Sequence, residues 1–179
     1  MRLSFYRIKG LGFVLWNIRH NYYHLLLGLL YSWYLRERWH EFNLHWVWLA
    51  LFGSLLPDID HFVYFLTYGK NDIYTKEIKS FLRTHQWRNL IRFMQSGHKE
   101  NTNLVSHNYY VTVALLTGSF LSSFFEWRSG VILFGAMAIH YVFDIADDLL
   151  ILGKVNANWK RFGRSKSYSR VKAPRSPIN

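Results

Sequence analysis

The 179-residue chain is long enough for one compact domain and short for two, and it has no cysteine. That excludes disulfides and thiolate metal sites, so any metal ligands have to be His, Asp or Glu. Half the residues are hydrophobic and 19% aromatic, yet the formal net charge is +11, so apolar and basic residues have to be kept apart along the chain.

The opening MRLSFYRIKGLGF carries basic residues and then apolar ones, with no small-residue cleavage site after them. It reads as a short interfacial helix leading into a first span rather than a removed signal peptide. Four apolar runs follow, at about 13–35, 46–66, 103–125 and 130–152, each near the roughly 20 residues that cross a bilayer.

In the first run Asn17, His20, Asn21 and His24 recur at spacings of three and four, which makes one polar stripe on an otherwise apolar helix. The second run ends in GSLLPDIDHF, with Asp58, Asp60 and His61 directly after bulky apolar residues. Pro57 should break or kink the helix there, freeing local backbone and turning Asp58 toward the interior. Asp60, two residues on, cannot share that helical face, so the two carboxylates are expected to have different roles.

The stretch KEIKSFLRTHQWRNLIRFMQSG, inside an insertion at about 70–100, mixes Ile78, Phe81, Leu82, Leu90, Ile91 and Phe93 with basic residues. It reads as one or two amphipathic helices, either on a membrane surface with anionic lipid headgroups as partners or packed on the bundle. The third run opens NLVSHNYYV, with Asn103 and His107 on one face and Ser106 and Asn108 beside them. The fourth contains HYVFDIADD, where His140 and Asp144, four apart, can face a single ion and Asp147 and Asp148 continue the face. A His140–Asp144 hydrogen bond would explain that pair equally well. From 154 to 179 the chain is basic and Ser-rich, and it is expected to be a disordered tail beyond a membrane domain at 1–153.

The basic residues alternate in step with these runs. Arg2, Arg7, Lys9 and Arg19, then seven Lys and Arg between runs two and three, then eight after run four, fall on one side; only Arg36, Arg38 and Arg128 fall on the other. By the positive-inside rule both termini are cytoplasmic. The expected fold is therefore all-α, an integral membrane bundle of about four transmembrane helices with an amphipathic cytoplasmic segment.

Asp inside a span costs about 2.5–3.5 kcal/mol at its centre, so each such residue asks for a partner. With alternating orientations, His20, His24, His107, Asp58, Asp60, His61, Asp144, Asp147 and Asp148 all reach a level between the midplane and the cytoplasmic surface. Packing alone does not require a common depth. A shared site of imidazole and carboxylate for a divalent ion accounts for it, with zinc favoured and manganese or iron as alternatives.

The motifs GSLLPDIDH, a later His opening an apolar helix, and HYVFDIADD together resemble the YdjM-like family of membrane-bound predicted metal-dependent hydrolases, over about residues 20–148. The resemblance implies His24, Asp58, His107, His140 and Asp144 as metal ligands, with Asp60 and His61 as catalytic or orienting groups. Around run three the family often has an H-R-G-x-T-H-S pattern. Here GHKENTNLVSHNYY lacks the Arg-Gly and places His107 nine positions after His98, leaving open whether His98 or His85 adds a ligand. More remotely, the order of ligands is similar to that of the zinc-dependent phospholipase C and P1 nuclease group, which act on phosphodiesters.

Two functions follow as expectations. One is a membrane-embedded hydrolase of a lipid-linked or phosphoester substrate near the cytoplasmic face of a bacterial-type inner membrane. The other is a non-catalytic membrane subunit or assembly factor of a protein complex, whose His/Asp cluster is structural. Neither calls for a specific nucleic acid.

Overall fold

The computed structural model describes the backbone of residues 11–101 and 104–161, with side chains over 20–94, 104–150 and 153–161. The expected N-terminal interfacial helix and the tail beyond 161 lie outside the described residues. The chain is all-helical there: α1 (Leu11–Trp39), α2 (Leu44–Leu55), a 3-10 turn (Leu56–Asp58), α3 (Ile59–Leu66), α4 (Ile73–Arg83), α5 (Trp87–Asn101), α6 (Tyr109–Phe124), α7 (Arg128–Leu152) and a second 3-10 turn (Ala157–Lys160).

Two stretches, Leu44–Leu66 and Arg128–Leu150, are long and apolar enough to cross a membrane; α6 is apolar but shorter. Length and composition thus support two spans of the four expected.

Among the described residues, 21–60 and 104–161 form one compact unit and 61–101 belong to a second. In the first, α7 is the central element. Leu35, Ala50, Val131, Ile132 and Ala136 form one core cluster, flanked by Tyr31, Trp39, Trp46 and Leu49. Leu115, Ala138, Tyr141 and Trp159 form another, with Phe134, Met137 and Ile145 against it. Tyr31 and Ser119 both donate hydroxyl hydrogens to the Val131 carbonyl, at 3.0 and 3.2 Å, tying α1 and α6 to α7.

The helices meet through small residues. A Cβ at Gly53 would lie 3.1 Å from both the Ala136 Cβ and the Leu133 carbonyl oxygen, so the α2–α7 approach needs glycine. The short connections 40–43 and 125–127 return the chain at one end of the unit. There Arg128 pairs with Glu41 and lies over Trp39 and Trp46, 5.3 and 5.2 Å from their ring centres.

Helix α6 wears its polarity inside out. Thr112, Leu115 and Ser122 are buried, while Val113, Leu116, Phe120, Leu121 and Phe124 are exposed. The same holds for α2, which buries Ala50, Gly53 and Ser54 and exposes Trp48 and Phe52.

In the second unit, α4 and α5 pack through Tyr74 stacked on Phe93 (5.1 Å) and Phe81 edge-on to Phe93 (5.5 Å). Lys76, Lys79 and Arg83 on α4 stay exposed, so the amphipathic pattern resolves into two helices. Tyr64 donates its hydroxyl to Asp72 at 3.1 Å, closing the turn before α4.

The end of α7 departs from expectation. Gly153 caps the helix in the left-handed conformation (φ 66), and residues expected to begin a disordered tail fold back instead. Trp159 is only 3% exposed, and its indole N–H donates to Asp148 at 2.9 Å, as does the Asn156 backbone N–H at 3.1 Å. One large aromatic ring with a buried acceptor is enough to hold the segment.

Candidate metal centre

The first unit draws His24 from α1, Asp58 from the 3-10 turn after α2, Asp60 from the first turn of α3, His107 from the segment before α6, and His140 and Asp144 from α7. Counted at about 1.5 Å per residue from the α1–α2 and α6–α7 turns, His24, Asp58, His140 and Asp144 lie at about 18–24 Å. Their common level follows from the hairpins.

Asp144 is the hub. Its Oδ2 lies 3.1 Å from His140 Nε2 and 3.6 Å from His107 Nε2, and its Oδ1 lies 3.3 Å from His24 Nε2. Asp58 Oδ1 lies 3.7 Å from His140 Nε2. The His24 and His140 rings stack at 3.7 Å, and Phe143 meets His24 edge-on at 5.2 Å. On the other side Tyr141 and Trp159 pack on His107, at 5.1 and 5.9 Å.

The orientation of His140 carries chemical information. Its Nδ1 is 2.7 Å from the main-chain oxygen of Ser54, which can only accept, so Nδ1 carries the hydrogen. Ser54 is in the last turn of α2, where carbonyls lack helical partners. In the neutral ring Nε2 is then a bare lone pair, and it faces the two carboxylates without hydrogen-bond geometry. A lone pair held against carboxylate oxygens is repulsive unless a proton or a metal cation lies between them.

Two overlapping groups have ligand atoms within 4.8 Å of one another, His24 with His140 and Asp144, and Asp58 with His107 and His140. A tetrahedral ion with ligands at about 2.0–2.1 Å keeps its ligand atoms about 3.3 Å apart. The observed 3.1–3.7 Å separations bracket that value. The donors are imidazole and carboxylate without sulfur, which suits zinc, manganese or iron. These buried His and Asp groups could hold a metal ion.

The remaining site residues fall elsewhere. Asp60 turns its Oδ2 to Ser106, accepting from the backbone N–H at 3.0 Å and the hydroxyl at 2.7 Å. His61 opens the second unit on α3 and is in neither of these two groups. His85 is an exposed residue at φ 53 in the turn between α4 and α5; the His98 side chain is outside the described residues. Asp147 is half-buried, and Asp148 holds Trp159. The sequence reading gave no role to Ser106, the Ser54 carbonyl or Trp159. The first two have no motif, and Trp159 sits in a stretch whose composition suggests disorder.

Comparison with known proteins supplies no relative: no family model, no curated protein and no solved structure matches the chain.

Proposed function

We propose that the protein is an integral membrane, metal-dependent hydrolase of the YdjM-like kind, acting on a lipid-linked phosphoester near the cytoplasmic face of a bacterial-type inner membrane. The observation that carries the reading is His140, locked with Nδ1–H on the Ser54 carbonyl and Nε2 turned to two carboxylates. Membrane embedding is supported by the inverted α6 and α2, whose large apolar residues face outward and small or polar ones inward. Such faces are lipid-facing in a bilayer and costly in water. Four spans with both termini cytoplasmic is the topology that matches the basic residues.

His24, Asp58, His107, His140 and Asp144 would hold the ion. The chemistry that a divalent ion held by these residues would supply is acidification of water and stabilisation of negative charge developing on a phosphoryl oxygen. The Asp58 side chain is 22% exposed, whereas the other ligand side chains are at 0–12%, so substrate would approach past Asp58. Phe143, Tyr141 and Trp159 line the closed sides, keeping out water and strengthening electrostatic interactions within.

The test is metal content and hydrolysis together. Detergent-purified protein should carry stoichiometric zinc, manganese or iron and cleave a chromogenic phosphodiester or a phospholipid. The double variant Asp58→Ala, His140→Ala should lose both. A wild type without divalent metal, or a double variant that keeps it, removes the basis of the hydrolase.

Complete burial of His24 and His140 favours a second reading, a structural metal in a non-catalytic subunit, because structural sites are closed. Cobalt-substituted protein separates the two: a visible spectrum that responds to inorganic phosphate indicates an open coordination position, and an indifferent one indicates a closed site.

A further inference from the structure

Ser106 and Asp60 adjoin the candidate centre without belonging to its ligand groups. The Ser106 backbone N–H, a fixed donor, points at Asp60 Oδ2 at 3.0 Å. The hydroxyl uses its only hydrogen on the same oxygen, at 2.7 Å. What the Ser106 Oγ still offers is lone pairs, and the nearest ring nitrogen is His107 Nδ1 at 3.2 Å. An oxygen that has spent its hydrogen can only accept. His107 Nδ1 is therefore the donor, and in the neutral ring the lone pair is on Nε2, 3.6 Å from Asp144 Oδ2.

This repeats the device at His140, where a carbonyl oxygen takes the Nδ1 hydrogen and Nε2 is turned inward. The segment carrying it is held at both ends. Asn108 caps α6 by accepting from the Val111 N–H at 2.9 Å, and its amide donates back to the Val105 carbonyl at 2.7 Å. Ser106 and His107 thus lie on a pinned turn rather than a free loop.

We infer that Ser106 and Asp60 are positioning residues that hold His107 as its Nδ1–H tautomer and present Nε2 as an ion ligand. The inference rests on the metal reading for its purpose, but the tautomer is a property of the protein alone. Asp60 acts through the hydroxyl and, from 3.7 Å, on Nδ1 itself: its charge polarises the chain from carboxylate to serine to imidazole and makes Nε2 a better donor to a cation. This gives Asp60 a role different from that of Asp58: Asp60 Oδ2 lies 3.7 Å from His107 Nδ1, the nitrogen that carries the hydrogen, whereas Asp58 Oδ1 lies 3.7 Å from His140 Nε2.

Two measurements on the full-length protein test it. In zinc competition against a chelating indicator, Ser106→Ala should weaken binding about 10- to 100-fold, the usual effect of losing an outer partner of a ligating His. Ser106→Thr, which keeps the hydroxyl, should restore it to within about threefold. In 15N-histidine spectra of metal-free protein, taken at a pH where the imidazoles are neutral, His107 should be Nδ1-protonated in the wild type and a mixture of tautomers in Ser106→Ala.

Unchanged zinc affinity with an unchanged tautomer in Ser106→Ala overturns the inference, as does a wild-type His107 protonated at Nε2. If Ser106→Ala does not fold, Asp60→Asn probes the same link from its other end, and an unchanged tautomer there has the same force. A wild type that binds no divalent ion sinks the metal reading, while the tautomer measurement still decides the positioning.

Discussion

His140 donates its Nδ1–H to the main-chain carbonyl of Ser54 across 2.7 Å, and this single bond between α7 and α2 determines which ring nitrogen faces the carboxylates. The acceptor belongs to the backbone, so no substitution at Ser54 that leaves the helix intact removes it. The consequences for the candidate centre can be tested one residue at a time.

The first concerns Asp144, whose two oxygens are approached by three imidazoles. Asp144→Asn keeps the volume and removes the charge, and should weaken divalent-ion affinity at least 100-fold in equilibrium dialysis. Chelation of the wild type should lower its melting temperature in detergent. An ion present at 100 times its Kd contributes about 2.7 kcal/mol. A variant with native affinity would exclude Asp144 as a ligand.

The second concerns Trp159. Its indole packs on His107, Tyr109 and Tyr141 and donates to Asp148. Trp159→Ala should cost about 3–5 kcal/mol, as expected for emptying a buried aromatic site. Trp159→Phe, which keeps most of the packing and leaves the Asp148 acceptor short of a donor, should cost about 1–3 kcal/mol. Thermal unfolding followed by near-UV dichroism would rank the two; equal losses would mean that the Asp148 bond dominates.

Gly53 provides a packing test independent of the metal. A Cβ there meets the Leu133 carbonyl and the Ala136 Cβ at 3.1 Å, closer than ordinary contacts, with one of the two a backbone atom. Gly53→Val should lose about 1–3 kcal/mol, or more where α2 is forced off α7. Ion affinity should fall with it, since α2 carries the Ser54 acceptor.

Arg128 is the control at the opposite end. It pairs with Glu41 and covers two indoles, but it is about 20 Å along the helices from the ligands. Arg128→Gln should lower stability by about 1 kcal/mol or less and leave ion affinity within twofold. Because the chain lacks cysteine, the same end can also report topology. Glu126→Cys should react with an impermeant thiol reagent from outside intact cells, and Lys160→Cys only after lysis; the opposite pattern would reverse the proposed orientation.

Much of this arrangement could be read from the residue pattern. Polar residues inside apolar runs stand out because each is costly there, and the spacing of His140 and Asp144 at one helical turn is visible without a structure. The insertion at 70–100 showed the right amphipathic period and became α4 and α5. What escaped reading is equally instructive. Ser106 is an ordinary serine until its backbone N–H is seen on Asp60, and the Ser54 acceptor is a main-chain atom that every residue type shares. The turn at 157–160 sits in a stretch with the composition of a disordered tail, and a single indole with a buried carboxylate partner outweighs that composition. Asp148, which continues the face of His140 and Asp144, turns out to serve this segment.

The 3-10 turn at Leu56–Asp58 has a wider implication. A helix that tightens at a proline leaves carbonyls that have to be satisfied elsewhere, and Pro57 withholds the N–H that the Gly53 carbonyl would otherwise accept. The adjacent carbonyl, that of Ser54, takes its hydrogen from an imidazole on another helix, so the interruption and the chemistry lie side by side. Replacing Pro57 with alanine would return an N–H to the Gly53 carbonyl and, as the turn relaxes toward an α-helix, bring the Asp58 N–H into competition with His140 for the Ser54 carbonyl. The proline turn thus sits directly beside the bond that orients His140.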